Sequence, residues 1–154
     1  MDPYEEKLKR FIEDNGIRCE HFHFVQSCHS VEDAMKASGA KRDDFIKSIC
    51  MLDDDGSLIV GIVMGENKVD AGEVGRILGI RKPVIAKPDV VQKKTGFPCG
   101  GTPPFGFEAL YLIDPRVMEK EVVWGGGGSE RSLTRIVPEE MRKANKGRIA
   151  KISR

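Results

Sequence analysis

The sequence predicts an α+β domain: a mixed, curved, barrel-like β-sheet of about six or seven strands with short helices packed around it. Strand-like and helix-like stretches are interleaved irregularly, without the steady β-α-β rhythm of a parallel sheet. Two adjacent apolar runs flank Asp-Asp-Asp-Gly at residues 53–56, which is a hairpin signal. No repeat or linker divides the 154 residues, so the chain, 1–154, reads as one domain with a basic C-terminal tail over residues 145–154.

Taken in order, Asp2 and Pro3 start a helix, with Glu5 at a capping-box spacing. Tyr4, Leu8, Phe11 and Ile12 repeat at helical period, and Asn15-Gly16 ends the element. Residues 17–24 alternate as a strand, with Cys19, His21 and His23 on one face and Phe22 and Phe24 on the other. Ser30 is an N-cap for a helix that stops at Gly39. Residues 45–52 and 57–64 are the hairpin strands. Asp70 caps the next helix and Gly79 stops it; residues 83–86 form a short strand, and Lys87-Pro88-Asp89 opens a helix ending at Gly96. Strands follow at 109–113, 121–124 and 133–137, with a four-glycine turn at 125–128 and a last helix from Pro138. Residues 149–153 are too short and too basic to assign.

Composition narrows the class. With 40% hydrophobic and 32% charged residues the chain reads as soluble and globular. No apolar run approaches the ~20 residues of a membrane span, and the acidic N-terminus does not read as a signal peptide. A cytoplasmic protein with no membrane partner is expected. Its four cysteines then read as free thiols. A net charge of +1 excludes a uniformly basic nucleic-acid binder, but the charge is clustered. Arg142, Lys143, Lys146, Arg148, Lys151 and Arg154 share the C-terminal stretch, while Arg81, Lys82, Lys87, Lys93 and Lys94 precede the glycine loop. Such clusters are either solvated surface or phosphate contacts.

The loop at residues 95–106, Thr-Gly-Phe-Pro-Cys-Gly-Gly-Thr-Pro-Pro-Phe-Gly, stands out. Its glycines and prolines describe a stiff turn with exposed amides at Gly100, Gly101 and Thr102, able to hold an anion or a developing oxyanion. An ordinary surface turn has the same composition. Lys47 falls on the apolar face of its strand beside Phe45, Ile49 and Met51, so it either snorkels outward or meets an anion. Walker-type and Gly-x-Ser-x-Gly signatures are absent. Cys99 lacks an evident base, and Cys19, His21, His23 and His29 could form zinc ligands only if a strand's splayed side chains converged. No metal or other cofactor is expected.

Three features in order, with the tail piece 127–141, resemble the YbaK family, which includes the editing domain of bacterial prolyl-tRNA synthetases. They are His29-Ser30-Val31-Glu32-Asp33-Ala34 before Ser38-Gly39, the strand Phe45-Ile46-Lys47-Ser48, and the loop 95–106. The similarity spans about residues 5–145. It implies that family's fold and a free-standing deacylase that hydrolyses mischarged aminoacyl-tRNA in trans. Alanine, cysteine or serine on tRNA-Pro or a related tRNA would be the substrate. The resemblance implies Lys47 as the site lysine, holding the 3′-terminal nucleotide by its phosphate. The resemblance likewise implies Gly100, Gly101 and Thr102 as the catalytic loop, Pro104 as holding its shape, and His29, Gly127 and Gly128 as bordering the substrate. Implied partners are the 3′-terminal adenosine and acceptor stem of aminoacyl-tRNA, with an aminoacyl-tRNA synthetase as a further candidate. Some members carry aspartate where this chain has Leu133. The alternative is a catalytically silent tRNA- or synthetase-binding module on the same fold.

Overall fold

Capping chemistry sets the helix boundaries in the computed structural model, which describes residues 2–154. Helix α1 (Pro3–Asp14) starts where the Asp2 carboxylate accepts the Tyr4 amide at 2.7 Å, and it buries Glu5, Leu8 and Ile12. Ser30 caps α2 (Val31–Ser38) by accepting the Asp33 amide at 3.0 Å, and Gly39 ends it at φ 74°. Asp70 does the same for α3 (Ala71–Leu78) through the Glu73 amide. Prolines open α4 (Pro88–Thr95), α5 (Pro115–Met118) and α6 (Pro138–Asn145), where a missing N–H costs nothing.

Among the described residues, eight strands form two sheets: β1 (Cys19–His23), β2 (Ile46–Leu52), β3 (Leu58–Met64), β4 (Val84–Ile85), β5 (Leu110–Ile113), β6 (Val123–Gly126), β7 (Ser132–Ile136) and β8 (Arg148–Ile149). The five-stranded sheet runs β4-β2-β3-β5-β8 and the three-stranded sheet β1-β7-β6. β2 and β3 are the expected antiparallel hairpin, with Lys47 opposite Val63, whereas β5 pairs parallel with both β3 and β8. A single parallel bridge, Phe45 to Trp124, joins the sheets at the start of β2. The α+β class holds, but the expected barrel-like sheet of six or seven strands is corrected to two sheets of eight strands without closure.

Alternation sends the two faces of β2 and β3 to different cores. Ile46, Cys50, Val60 and Ile62 pack with Leu8 and Ile12 of α1 and with Phe97 and Phe105. Met51, Ile59 and Val63 pack with Val69, Val74 and Ile152. On the three-stranded sheet, Trp124 and Leu133 lie under Ala34 of α2, with the Phe22 ring 5.2 Å from Trp124.

The C-terminus is not a free tail. β8 fills the edge of β5, Ile152 is fully buried, and the Asp114 carboxylate accepts the amides of Ile152 and Ser153, both at 3.0 Å. Ile152→Ala is therefore expected to cost about 3 kcal/mol in urea unfolding. A free tail would make the same change neutral within about 0.5 kcal/mol. No helix among the described residues is long and apolar enough to cross a membrane.

Candidate functional site

The glycine-proline loop is a single 3-10 turn, Cys99–Gly101. At its entry the Thr95 hydroxyl accepts the Phe97 amide at 3.0 Å and lies 2.7 Å from the Val91 carbonyl, tying the loop to the end of α4. Pro98 then organises the turn, its carbonyl accepting the Gly101 N–H at 2.9 Å and the Thr102 hydroxyl at 3.0 Å. This corrects the expected donor trio, because the Gly101 amide is spent inside the turn and the residue is buried. The Gly100 and Thr102 N–H groups have no intramolecular acceptor among the described residues, so two donors flank Gly101 rather than three in a row. Pro104 is buried, its carbonyl held by Asn145 Nδ2 at 2.9 Å.

The loop is seated on the β6–β7 turn by main-chain contact. The Gly128 amide donates to the Gly101 carbonyl at 2.8 Å, and a Cβ on Gly101 would lie 2.5 Å from the Ser129 nitrogen. A Cβ on Gly126 would collide with the Thr102 carbonyl. The glycine run thus exists so that two backbones can touch. Gly127 and Gly128, implied as substrate-bordering, are themselves buried. Their contribution to the site is the seat they give the loop. His21 Nε2 donates to the Gly127 carbonyl at 2.8 Å, and burial lowers the His21 pKa.

Beneath this turn lies a polar network that spacing in the sequence did not reveal. Glu5 is fully buried; its carboxylate accepts His23 Nδ1–H at 2.9 Å and the Ser129 hydroxyl at 2.7 Å. Ser129 also meets the Ser132 hydroxyl at 3.0 Å and accepts the Arg131 amide. The residue expected in a capping box instead anchors α1 to a turn 124 positions away. Glu5→Ala, which strands these donors, is expected to cost about 2 kcal/mol in urea unfolding. Glu5→Gln, which keeps an acceptor for Ser129, should restore part of that loss.

Lys47 lies on the face of β2 that carries Phe45 and Met51. The isolated parallel Phe45–Trp124 bridge brings the start of β2 against β6, where Gly126, two residues past Trp124, has Leu133 as its antiparallel partner. Lys47 pairs with Val63 on β3, Gly126 pairs with Leu133 on β7, and the Thr102 backbone occupies the gap left by Gly126. Lys47 is half-buried; burial, then the charge of Lys68, holds its ammonium below the usual lysine range. His29 is exposed at the outer side of the loop, with Nδ1 3.6 Å from Glu130 Oε1. That nitrogen is also 3.0 Å from where a Cβ on Gly100 would stand.

The other reactive types fall elsewhere. Burial pushes the Cys19 and Cys50 thiols up to about 12, so neither is a thiolate near neutral pH. Cys99 is exposed at the turn. His21 and His23 are turned to the Gly127 carbonyl and Glu5, and no three His, Cys, Asp or Glu residues gather as metal ligands among the described residues. A recess of about 780 Å³, lined by Phe11, Gly106, Tyr111, Lys146 and Arg148 among others, touches the loop at its last residue, Gly106, and does not include Lys47.

Residues 25–144 match the family model of the aminoacyl-tRNA editing domain. Three solved structures superpose on nearly the whole chain. A candidate trans-editing enzyme for prolyl-tRNA synthetase is 25% identical with a TM-score of 0.91, covering 100% of this chain and 99% of that one. A scaffold protein from epitope-grafting design is 24% identical with a TM-score of 0.89, at 100% and 99% coverage. A hypothetical protein is 23% identical with a TM-score of 0.87, at 96% and 99% coverage. The last two bear on the fold alone.

Proposed function

Because the chain belongs to the aminoacyl-tRNA editing domain family, we propose that it is a trans-editing deacylase hydrolysing the ester of a tRNA mischarged with a small amino acid. Alanine, cysteine or serine, carried on tRNA-Pro or a related tRNA, is the substrate of this reading. The observation that carries it is the loop backbone seated in the Gly126 gap of β6, the strand that the Phe45–Trp124 bridge sets against the start of the Lys47 strand.

An aminoacyl ester beside a vicinal hydroxyl is already activated, so positioning and oxyanion stabilisation suffice without a protein nucleophile. Lys47 holds the terminal nucleotide by phosphate. The Gly100 and Thr102 N–H groups face the carbonyl oxygen as water attacks the carbonyl carbon. The bond to the ribose oxygen breaks, and that oxygen takes a proton as the free amino acid leaves. Leu133, adjacent to the same gap, narrows the acyl pocket to small side chains. This supplies selectivity that one methylene, worth only about 1–3 kcal/mol in a synthetase pocket, does not.

Leu133, an apolar residue at a position that is acidic in some members, favours a second reading: a module that binds tRNA or a synthetase without turnover. Purified protein assayed against alanyl-, cysteinyl-, seryl- and prolyl-tRNA separates the two. Hydrolysis of at least one of the first three above the spontaneous rate is expected. Binding of all with hydrolysis of none would leave only the silent module.

A further inference from the structure

The chain leaving β3 stays on the sheet. The Gly65 amide donates to the Phe45 carbonyl at 2.7 Å, and the Asn67 amide donates to the Met64 carbonyl at 2.9 Å. Val69 then lies over Gly61, where a Cβ would sit 3.2 Å from both Val69 Cγ2 and Met51 Cε. Val69 thereby packs on the face of the hairpin that carries Met51 and Val63, the partner of Lys47, and the Asn67-Lys68 pair leads directly into it.

Lys68 is the charge that bears on Lys47, and neither lysine has a carboxylate partner among the described residues. Of the nearby acids, Asp70 caps α3, while Glu66 forms no ion pair with either lysine among the described residues. Asn67 Nδ2 is buried without an acceptor. The Arg154 amide donates to the Lys68 carbonyl at 3.0 Å, which brings the C-terminal residue to the same edge. Two neighbouring ammonium groups and a desolvated N–H donor are each unfavourable alone, and an anion with several acceptor oxygens relieves all three.

We propose that Lys68 and the Asn67 side-chain amide join Lys47 in a cradle for a phosphodiester near the 3′ end of the RNA substrate. Resting on the editing reading for its ligand, the cradle extends the site from the loop toward the β3–α3 turn. Lys68 and Asn67 are binding residues and touch no reacting atom.

The test uses the full chain and an uncharged acceptor-stem minihelix ending in CCA, with fluorescence anisotropy read between about 50 and 200 mM salt. Lys68→Ala is expected to weaken binding and to lower the slope of log affinity against log salt by about 1. Neutral methylphosphonates at the last two linkages should weaken wild type more than Lys68→Ala, which keeps the Lys47 contact. Asn67→Ala, which removes no charge, should weaken binding with the salt slope unchanged. An unchanged slope in Lys68→Ala, or equal methylphosphonate sensitivity in both proteins, overturns the cradle. Displacement of the minihelix by submillimolar inorganic phosphate would identify a free anion as occupant and overturn the RNA assignment. Since the probe carries no amino acid, a protein that hydrolyses nothing yet shows the slope change loses the deacylase reading and keeps the cradle.

Discussion

Gly101→Ala is expected to lower stability by about 3 kcal/mol, a fall in Tm of roughly 6–12 °C for a chain of this size, and to reduce deacylation about 10²-fold. The added Cβ would stand 2.5 Å from the Ser129 nitrogen and 2.7 Å from the Gly128 carbonyl carbon. Both are main-chain atoms, so no rotamer change relieves the clash, and either the loop or the β6–β7 turn must shift. Such a shift breaks the Gly128–Gly101 hydrogen bond and displaces the donors at Gly100 and Thr102 together. Gly100→Ala is the informative contrast. There the Cβ meets the side chains of His29 and Glu130 at 3.0–3.2 Å, and both are exposed and free to turn aside. Its stability should stay within about 0.5 kcal/mol of wild type. Thermal melts and initial hydrolysis rates of the two variants check this, and an equally stable, fully active Gly101→Ala would contradict the seating.

Removing the Lys47 charge while keeping an apolar stem, as in Lys47→Met, is expected to lower kcat/KM about 10²-fold, the scale of one lost charge-assisted contact to phosphate. Stability should be unchanged or slightly raised, because a half-buried ammonium whose charged neighbour is another ammonium contributes nothing to the fold. A structural lysine would show the opposite pattern, with stability lost and activity kept. The pH profile provides a second check. The binding form is the ammonium, and burial followed by Lys68 depresses its pKa in the free protein. Once spontaneous hydrolysis is subtracted, kcat/KM should therefore fall with rising pH below the range of an ordinary lysine. Lys68→Ala, which removes the like charge, should move that limb upward.

What the sequence disclosed follows the range of the interactions. Local chemistry was readable: the Ser30 and Gly39 ends of α2, the Asp70 and Gly79 ends of α3, and the hairpin through residues 53–56 depend on residues within a few positions of each other. The one-turn helix α5 escaped because a single turn after Asp114 has no apolar period to read. β8 escaped because its two side chains are exposed, and it is a strand only through the free edge of β5. The same limit applies at the site. Lys47 on an apolar face was legible from alternation alone. That the Gly101 amide turns inward to Pro98 while its carbonyl holds Gly128 depends on two distant loops meeting. Glu5 reads as a first-turn acid, and nothing near it in sequence links it to Ser129. Gly126 carries no side-chain signal at all; its role is the space it leaves.

The central claim is that Lys47 and the free amides of the seated loop grip opposite ends of one aminoacyl ester. A crystal structure with a CCA trinucleotide carrying a non-hydrolysable 3′-alanylamide tests this directly. The account predicts the acyl oxygen within hydrogen-bond distance of the Gly100 or Thr102 N–H, with a backbone phosphate on Lys47 Nζ. An acyl group bound away from the 3-10 turn, with no phosphate at Lys47, would contradict it.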